Sequence, residues 1–249
     1  MNNLPVDIIP FCEIFRDAGY EIYLVGGAVR DYIIRDKSGT DNNSAEIISI
    51  KEPDFDFATN GAPDIVTEVM GKKNIKVIPT GIKHGTVTVL FRDNTYEVTT
   101  YRLDGKYSDS RHPDKVEFAA TIDEDLSRRD FTVNGIAYDP FKKEFIDNFN
   151  GIEDIERKVL RTIGDPVERF SEDALRVIRL CRFAAVLGFS VDKDTLDAVP
   201  VVLEKVKLLS NERIREELMK MMTALKPSTG IELMRISGIL ETILPELNR

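Results

Sequence analysis

Tryptophan is absent from the 249 residues, and cysteine and histidine occur twice each. Cys12 and Cys181 lie far apart and lack metal-ligand neighbours, which reads as two buried thiols in a reduced, cytosolic protein. With His84 and His112 as the whole histidine complement, Ser-His nucleophilic catalysis has few candidates and a structural zinc site fewer. No apolar run approaches the ~20 residues of a membrane span, so no membrane partner is expected. The N-terminus carries Asp7 and Glu13 and lacks a basic, apolar leader, which predicts no secretion signal and a cytoplasmic location.

Positive charge is also short. Lys and Arg number 34 against 43 Asp and Glu, a net charge of −9. A polyanion is repelled on average by such a chain, which argues against wholesale nucleic-acid binding. Local distribution differs, because Arg157, Lys158, Arg161, Arg169, Arg176, Arg179 and Arg182 share one window with only Asp165, Glu168, Glu172 and Asp173. A basic stripe on an acidic body suits a grip on one phosphate-rich ligand rather than a general nucleic-acid coat. Hydrophobic residues at 42% and charged residues at 31% are ordinary for a soluble globular protein, and the length permits two domains or one large one.

Periodicity divides the chain. A helix is predicted over 6–18, a strand over 21–25 and a short helix over 28–35. Period-two alternation marks strands around 54–58, 75–79, 86–91 and 95–101, with Arg92-Asp93-Asn94 as a hairpin turn. From about 122 onward, helices are predicted over 124–137, 166–188, 192–199, 211–224 and 227–237. Strands followed by helices predict an α+β catalytic head over 1–148 and an all-helical segment over 149–249. The polar stretch 36–52 reads as a surface loop.

Three sets of residues carry candidate chemistry. Gly26-Gly27 follows a strand and precedes a helix, an arrangement that lets phosphates approach the backbone and a helix N-terminus, with Arg30 one turn away. Asp54-Phe55-Asp56 places two carboxylates on one face of a strand, where they can hold divalent metal together; taken alone, the triplet also fits a solvated edge strand. Glu97 is the natural third ligand if its strand lies beside Asp54–Asp56, and otherwise an outward-facing strand residue. Arg128-Arg129-Asp130-Phe131-Thr132-Val133-Asn134 reads as one helical turn offering guanidinium to phosphate and amide or carboxylate to ribose. Asp173, Arg176, Arg179 and Arg182 recur every three residues, which predicts a ribbon along one long helix; the plain alternative is an Asp–Arg pair beside two solvated arginines.

Taken in order, Leu24-Val25-Gly26-Gly27-Ala28-Val29-Arg30-Asp31, Asp54-Phe55-Asp56, Arg128–Asn134, Glu172-Asp173-Ala174-Leu175-Arg176 and Asn211-Glu212-Arg213-Ile214 resemble the class II tRNA nucleotidyltransferases, the CCA-adding enzymes grouped with bacterial poly(A) polymerases in the polymerase-β-like superfamily. The resemblance covers nearly the whole chain. It implies a polymerase-β-like head with a mixed sheet and a two-metal site, followed by a helical neck that selects the incoming nucleotide. Asp54 and Asp56 would bind two Mg²⁺ ions. Gly26, Gly27, Arg30 and Arg129 would contact the triphosphate, and Asp130 and Asn134 the ribose. Asp173 and Arg176 would read the base, while Arg179 and Arg182 line the pocket. Gly151, Asp154 and Arg161 match a hinge motif, and Glu212 and Arg213 a motif that buttresses the neck. The partners implied are the tRNA 3′ end, CTP and ATP.

Within the family, Thr80–Val89 resembles the CCA-adding and A-adding type, and the bacterial poly(A) polymerase segment Gly-Arg/Lys-Arg/Lys-Phe is absent. The stretch from Tyr101 through Pro113 matches the flexible loop needed for the final A, which favours CCA addition. Family members continue into helical body and tail domains beyond the point matching Arg249. Two other classes stay open here, a catalytically silent RNA-binding module and a small-molecule nucleotidyltransferase.

Overall fold

The computed structural model describes residues 1, 4–37, 54–103 and 117–247. Most of the predicted 36–52 loop and of the stretch from Tyr101 through Pro113 lies outside them. Eleven strands are assigned among the described residues: β1 (Ile22–Val25), β2 (Asp56–Thr59), β3 (Lys76–Gly81), β4 (Thr86–Phe91), β5 (Asn94–Thr100), β6 (Arg102–Leu103), β7 (Glu117–Phe118), β8 (Ala137–Asp139), β9 (Glu144–Ile146), β10 (Val159–Leu160) and β11 (Ser190–Val191). Seven form one sheet in the order β3-β4-β5-β2-β1-β8-β9, mixed because β2 runs parallel to β5 while its other pairs are antiparallel.

Alternation sends successive side chains to opposite faces of this sheet. Leu24, Phe57, Val98 and Tyr138 enter the main core. That face is covered by the helix Ile8–Asp17, whose buried Ile8, Phe11, Cys12 and Phe15 follow helical spacing. Phe11 packs its ring 5.0 Å from Phe57 and 4.7 Å from Tyr96, within the range where aromatic pairs attract. Val25, Ala58 and Ala137 face the other way, into a small cluster with Tyr101, Ile122 and Leu126. The helix Pro63–Gly71 was not anticipated from periodicity. Pro63 in its first turn and the buried trio Val66, Val69 and Met70 account for it.

The predicted helix over 124–137 is a correction. Only Ile122–Ser127 is α-helical, held by a capping box between Thr121 and Glu124. The chain then makes a 3₁₀ turn at Thr132–Asn134 and returns to the sheet as the β8–β9 hairpin. Strand signals therefore do not stop near 122; three-residue strands are too short for a period-two pattern to register.

Past the hairpin the structure is mainly helical. Asp147 accepts from the N–H groups of Gly151 (2.7 Å) and Ile152 (2.9 Å), starting the helix Gly151–Arg157. Gly151 is required by close approach, since a Cβ there would stand 2.2 Å from the Thr132 carbonyl oxygen. The predicted single helix over 166–188 is in fact two, Pro166–Glu172 and Leu175–Leu187. Asp173 between them is extended, and its carboxylate accepts from the Leu175 N–H at 3.0 Å. A short acidic side chain that bonds nearby backbone competes with the helix ladder, which explains the break. Leu175–Leu187 is nearly all buried and packs against the helices Asn211–Met222 and Pro227–Ile236. Among the described residues no helix is long and apolar enough to cross a membrane.

Candidate active site

The sparsely covered face of the sheet opens into a cavity of about 600 Å³, the size range of small-ligand pockets. At its floor β1 ends at Val25, paired with Asp56. Gly26 follows at φ +74°, a left-handed conformation that favours glycine. A side chain would also be obstructed there, because a Cβ on Gly26 would lie 3.2 Å from Asp56 Oδ2. The Gly-Gly turn therefore brings backbone, and the N-terminus of the helix Gly27–Lys37, directly against a carboxylate.

Asp56 lies beside Glu97 on the neighbouring parallel strand, in register. Residues so paired project from the same face, so two carboxylates meet at the cavity rim. Burial pushes the Asp56 carboxyl up to about 6; the charges of Glu97 and Asp54 push the same way, and Arg129 opposes them. Asp54 is placed differently from the expectation. The strand begins at Asp56, and Asp54 is exposed ahead of it and does not line the cavity. β1 turns away at Gly26, so no β1 residue pairs with Phe55 or Asp54 to extend the ladder. Among the described residues no three acids or other ligands stand close enough to cage a metal by themselves.

The opposite wall is basic. Every other predicted site residue lines the same cavity: Gly26, Gly27, Arg30, Glu97, Arg129, Asp130, Asn134, Asp173, Arg176, Arg179 and Arg182, together with Asp56. Arg102, Arg128 and Arg213 join them, giving eight arginines against the carboxylates of Asp56, Glu97, Asp130 and Asp173. The rest of the basic stripe does not take part: Arg157, Lys158, Arg161 and Arg169 do not line the cavity.

Internal acids hold these arginines in place. Asp125, 1% exposed, accepts from Arg128 (2.8 Å) and Arg129 (3.0 Å). Burial alone would raise its pKa, yet the charges of Arg129 and Arg128 and their hydrogen bonds bring it below the ordinary range. Asp130 is likewise saturated. Its Oδ1 accepts from the Phe131 N–H (2.9 Å) and Asn134 Nδ2 (3.0 Å), and its Oδ2 accepts a forked pair from Arg179 at 2.8 and 2.6 Å. Burial pushes this carboxyl up, but the Arg179 charge and the hydrogen bonds outweigh it and hold it down at about 2. Asn134 in turn accepts from Arg30 at 2.7 Å. The expected single helical turn over 128–134 is thus a short helix end followed by a 3₁₀ turn, and its members are gathered by hydrogen bonds rather than by helical spacing.

Asp173 and Arg176 enter from the break between the two helices. Asp173 accepts from Arg213 at 2.7 Å, while Arg176 donates to Glu172 (2.6 Å) and to the carbonyls of Arg169 (2.9 Å) and Arg128 (3.1 Å). The three-residue ribbon is therefore interrupted at its first member, and the cavity-facing set is made by the kink. Periodicity carried no signal for Arg102 or Phe183. The Phe183 ring has the guanidinium carbons of Arg182, Arg30 and Arg179 at 4.0, 5.2 and 5.4 Å from its centroid.

Comparison with known proteins places the chain in a family. Residues 22–161 match the model of the poly A polymerase head domain, and 188–249 match that of the probable RNA and SrmB-binding site of polymerase A. The chain belongs to the poly A polymerase head domain family. It is 41% identical over 216 residues to the CCA-adding enzyme of Lactobacillus helveticus (strain DPC 4571), covering 87% of this chain and 49% of that one. It is 36% identical over 235 residues to the CCA-adding enzyme of Ligilactobacillus salivarius (strain UCC118), covering 93% and 54%. Among solved structures, the Bacillus stearothermophilus CCA-adding enzyme in complex with CTP superposes with a TM-score of 0.79 at 34% identity, over 93% of this chain and 51% of that chain. A tRNA nucleotidyltransferase complexed with a primer tRNA and an incoming ATP analog gives 0.72 at 28%, over 93% and 61%. This poly A polymerase head family member spans about half the length of the curated relatives it matches.

Proposed function

We propose that this chain is the catalytic and nucleotide-selecting part of a template-independent tRNA nucleotidyltransferase that adds CCA to the tRNA 3′ end from CTP and ATP. The observation that carries the reading is one cavity with paired carboxylates on one wall and arginines with Asp173 on the other. The names of the relatives favour CCA addition over polyadenylation.

Mg²⁺ fits the residues present. Asp56 and Glu97 supply hard oxygen donors, and Mg²⁺ is typically held by one or two carboxylates plus substrate phosphates rather than by a full protein cage. Asp54, exposed just ahead of the strand but near enough for its charge to act on Asp56, would be the further donor for a second ion. Bound there, two ions would activate the attacking 3′ hydroxyl and stabilise the leaving pyrophosphate. The residues do the rest. Gly26 and Gly27 admit the triphosphate to the backbone, and Arg30 and Arg129 face its charge. Asn134 and Asp130 hold the ribose side of the pocket. We take residues 1–148 as the head and 149–249 as the neck.

Base choice follows from hydrogen-bond polarity. The Asp173 carboxylate accepts from the exocyclic amino group of cytosine or adenine, and Arg176 donates to the adjacent ring nitrogen. Uracil and guanine present a carbonyl and an N–H at those places, so both contacts become repulsive. Sites built on such bonds reject mismatched groups by ~10⁴. The test is kcat/KM for all four nucleotides with the unaltered chain and with Asp173→Ala, on tRNA lacking CCA, tRNA ending in CC, and oligo(A). The reading expects selectivity against UTP and GTP to collapse in the variant. Unchanged selectivity makes Asp173 a partner of Arg213 and nothing more.

A further inference from the structure

We propose that Glu217 is a positioning residue for the nucleotide pocket, a buried carboxylate that aims Arg182 and Arg179 at the incoming nucleotide; this rests on the nucleotidyltransferase reading. Glu217 lies on the helix Asn211–Met222, whose only other buried residue is Met221. Its side chain is 5% exposed, and it does not line the cavity. An ionised carboxylate so placed costs several kcal/mol unless it is paired.

Its partners are the two arginines that complete the far wall. Arg182 Nε donates to Glu217 Oε2 at 2.6 Å, and Arg179 Nη1 stands 3.7 Å from Oε1. Lys220 Nζ is also 3.7 Å away, on the solvent side. Arg179 has Asp130 on its other flank, whereas Glu217 is the only acid paired with Arg182 among the described residues. Its Nε is bonded to Glu217 and its guanidinium carbon stands 4.0 Å over the Phe183 ring centroid, two contacts that together restrict where the Arg182 guanidinium points. Replacing a buried ion pair by apolar residues is often neutral or stabilising, so stability alone gives no reason for a glutamate here. Orientation does.

A merely structural pin between the helices predicts something different. Its loss lowers the folded, active fraction, which reduces apparent kcat and leaves KM alone. Misaimed arginines weaken nucleotide binding instead. The measurement is KM and kcat for CTP and ATP, with CTP affinity by calorimetry in Mg²⁺, for the unaltered 249-residue chain, Glu217→Gln and Glu217→Asp. The inference expects Glu217→Gln to raise KM and Kd about tenfold, with kcat falling by less than KM rises. Glu217→Asp keeps the charge but withdraws it by one methylene, and about a threefold rise in KM is expected. If Glu217→Gln does not fold, the aspartate variant decides. KM and Kd within twofold of the unaltered chain, with only the melting temperature lowered, overturn the inference. Failure of the unaltered chain to bind or use CTP overturns the nucleotidyltransferase reading, and this inference with it.

Discussion

The two walls of the cavity are built on opposite electrostatic terms. On the sheet side, Asp56 and Glu97 stand side by side, and the Asp56 carboxyl is pushed up to about 6 by burial and like charge. On the helix side every one of Arg128, Arg129, Arg176, Arg179 and Arg182 is paired with an acid, Asp125 serving both Arg128 and Arg129, and Glu172, Asp130 and Glu217 serving the other three in turn. Asp130 is correspondingly held down at about 2. On one wall these five arginines are already held by carboxylates within the protein. The other gains from a cation, and perturbed carboxylates in a cleft are where function is expected to reside. Stability should therefore depend on the arginine wall, and chemistry on the carboxylate wall.

The contrast is sharpest at Asp56. Asp56→Ala should reduce nucleotide addition at least ~100-fold, because removing the central anion of such a site costs several kcal/mol of barrier. Its melting temperature in EDTA should match or exceed that of the unaltered chain, since one of two adjacent like charges is gone. Activity above about a hundredth of the original would break the metal assignment.

Asp130→Asn should behave in the reverse sense. It leaves Arg179 without its forked partner, and breaking a buried pair costs about 3 kcal/mol or more, readable by denaturant titration. A loss no larger than that of Asp56→Asn would erase the distinction between the walls.

Acid gives a third, smaller test. The Asp130 carboxyl is lower in the folded chain than its ordinary 3.8, so its contribution is fully present above pH ~4 and disappears as pH falls toward ~2. A drop from 3.8 to about 2 corresponds to about 2 kcal/mol. The acid limb of the stability curve should flatten in Asp130→Asn, and an unchanged limb would mean that other carboxylates set it. The smallest effect belongs to neither wall. Glu232 pairs with Arg235 on an exposed helix face, and Glu232→Gln should leave the melting curve where it was.

Sequence by itself determined the components. Gly26-Gly27 after an apolar strand, the acids around Asp56, Glu97 on an alternating strand and the ordered motifs through Arg213 are local patterns, and local patterns report the elements that carry them. Five of the seven strands of the main sheet and the helices of ten residues or more were legible for the same reason, and so was the α+β class. Tertiary structure decided how the components meet. The parallel pairing that sets Glu97 beside Asp56 joins residues 41 positions apart, and no periodicity encodes a register. The break at Asp173 depends on Arg213 from another helix as well as on its own cap. The gathering of Arg128–Asn134 depends on Arg179, Arg30 and Asp125, not on a helical turn. Charge is the clearest case. An arginine looks the same in sequence whether it is solvated or clamped, and only packing, by removing water and supplying one particular carboxylate, decides which of them faces the cavity and how firmly it is held.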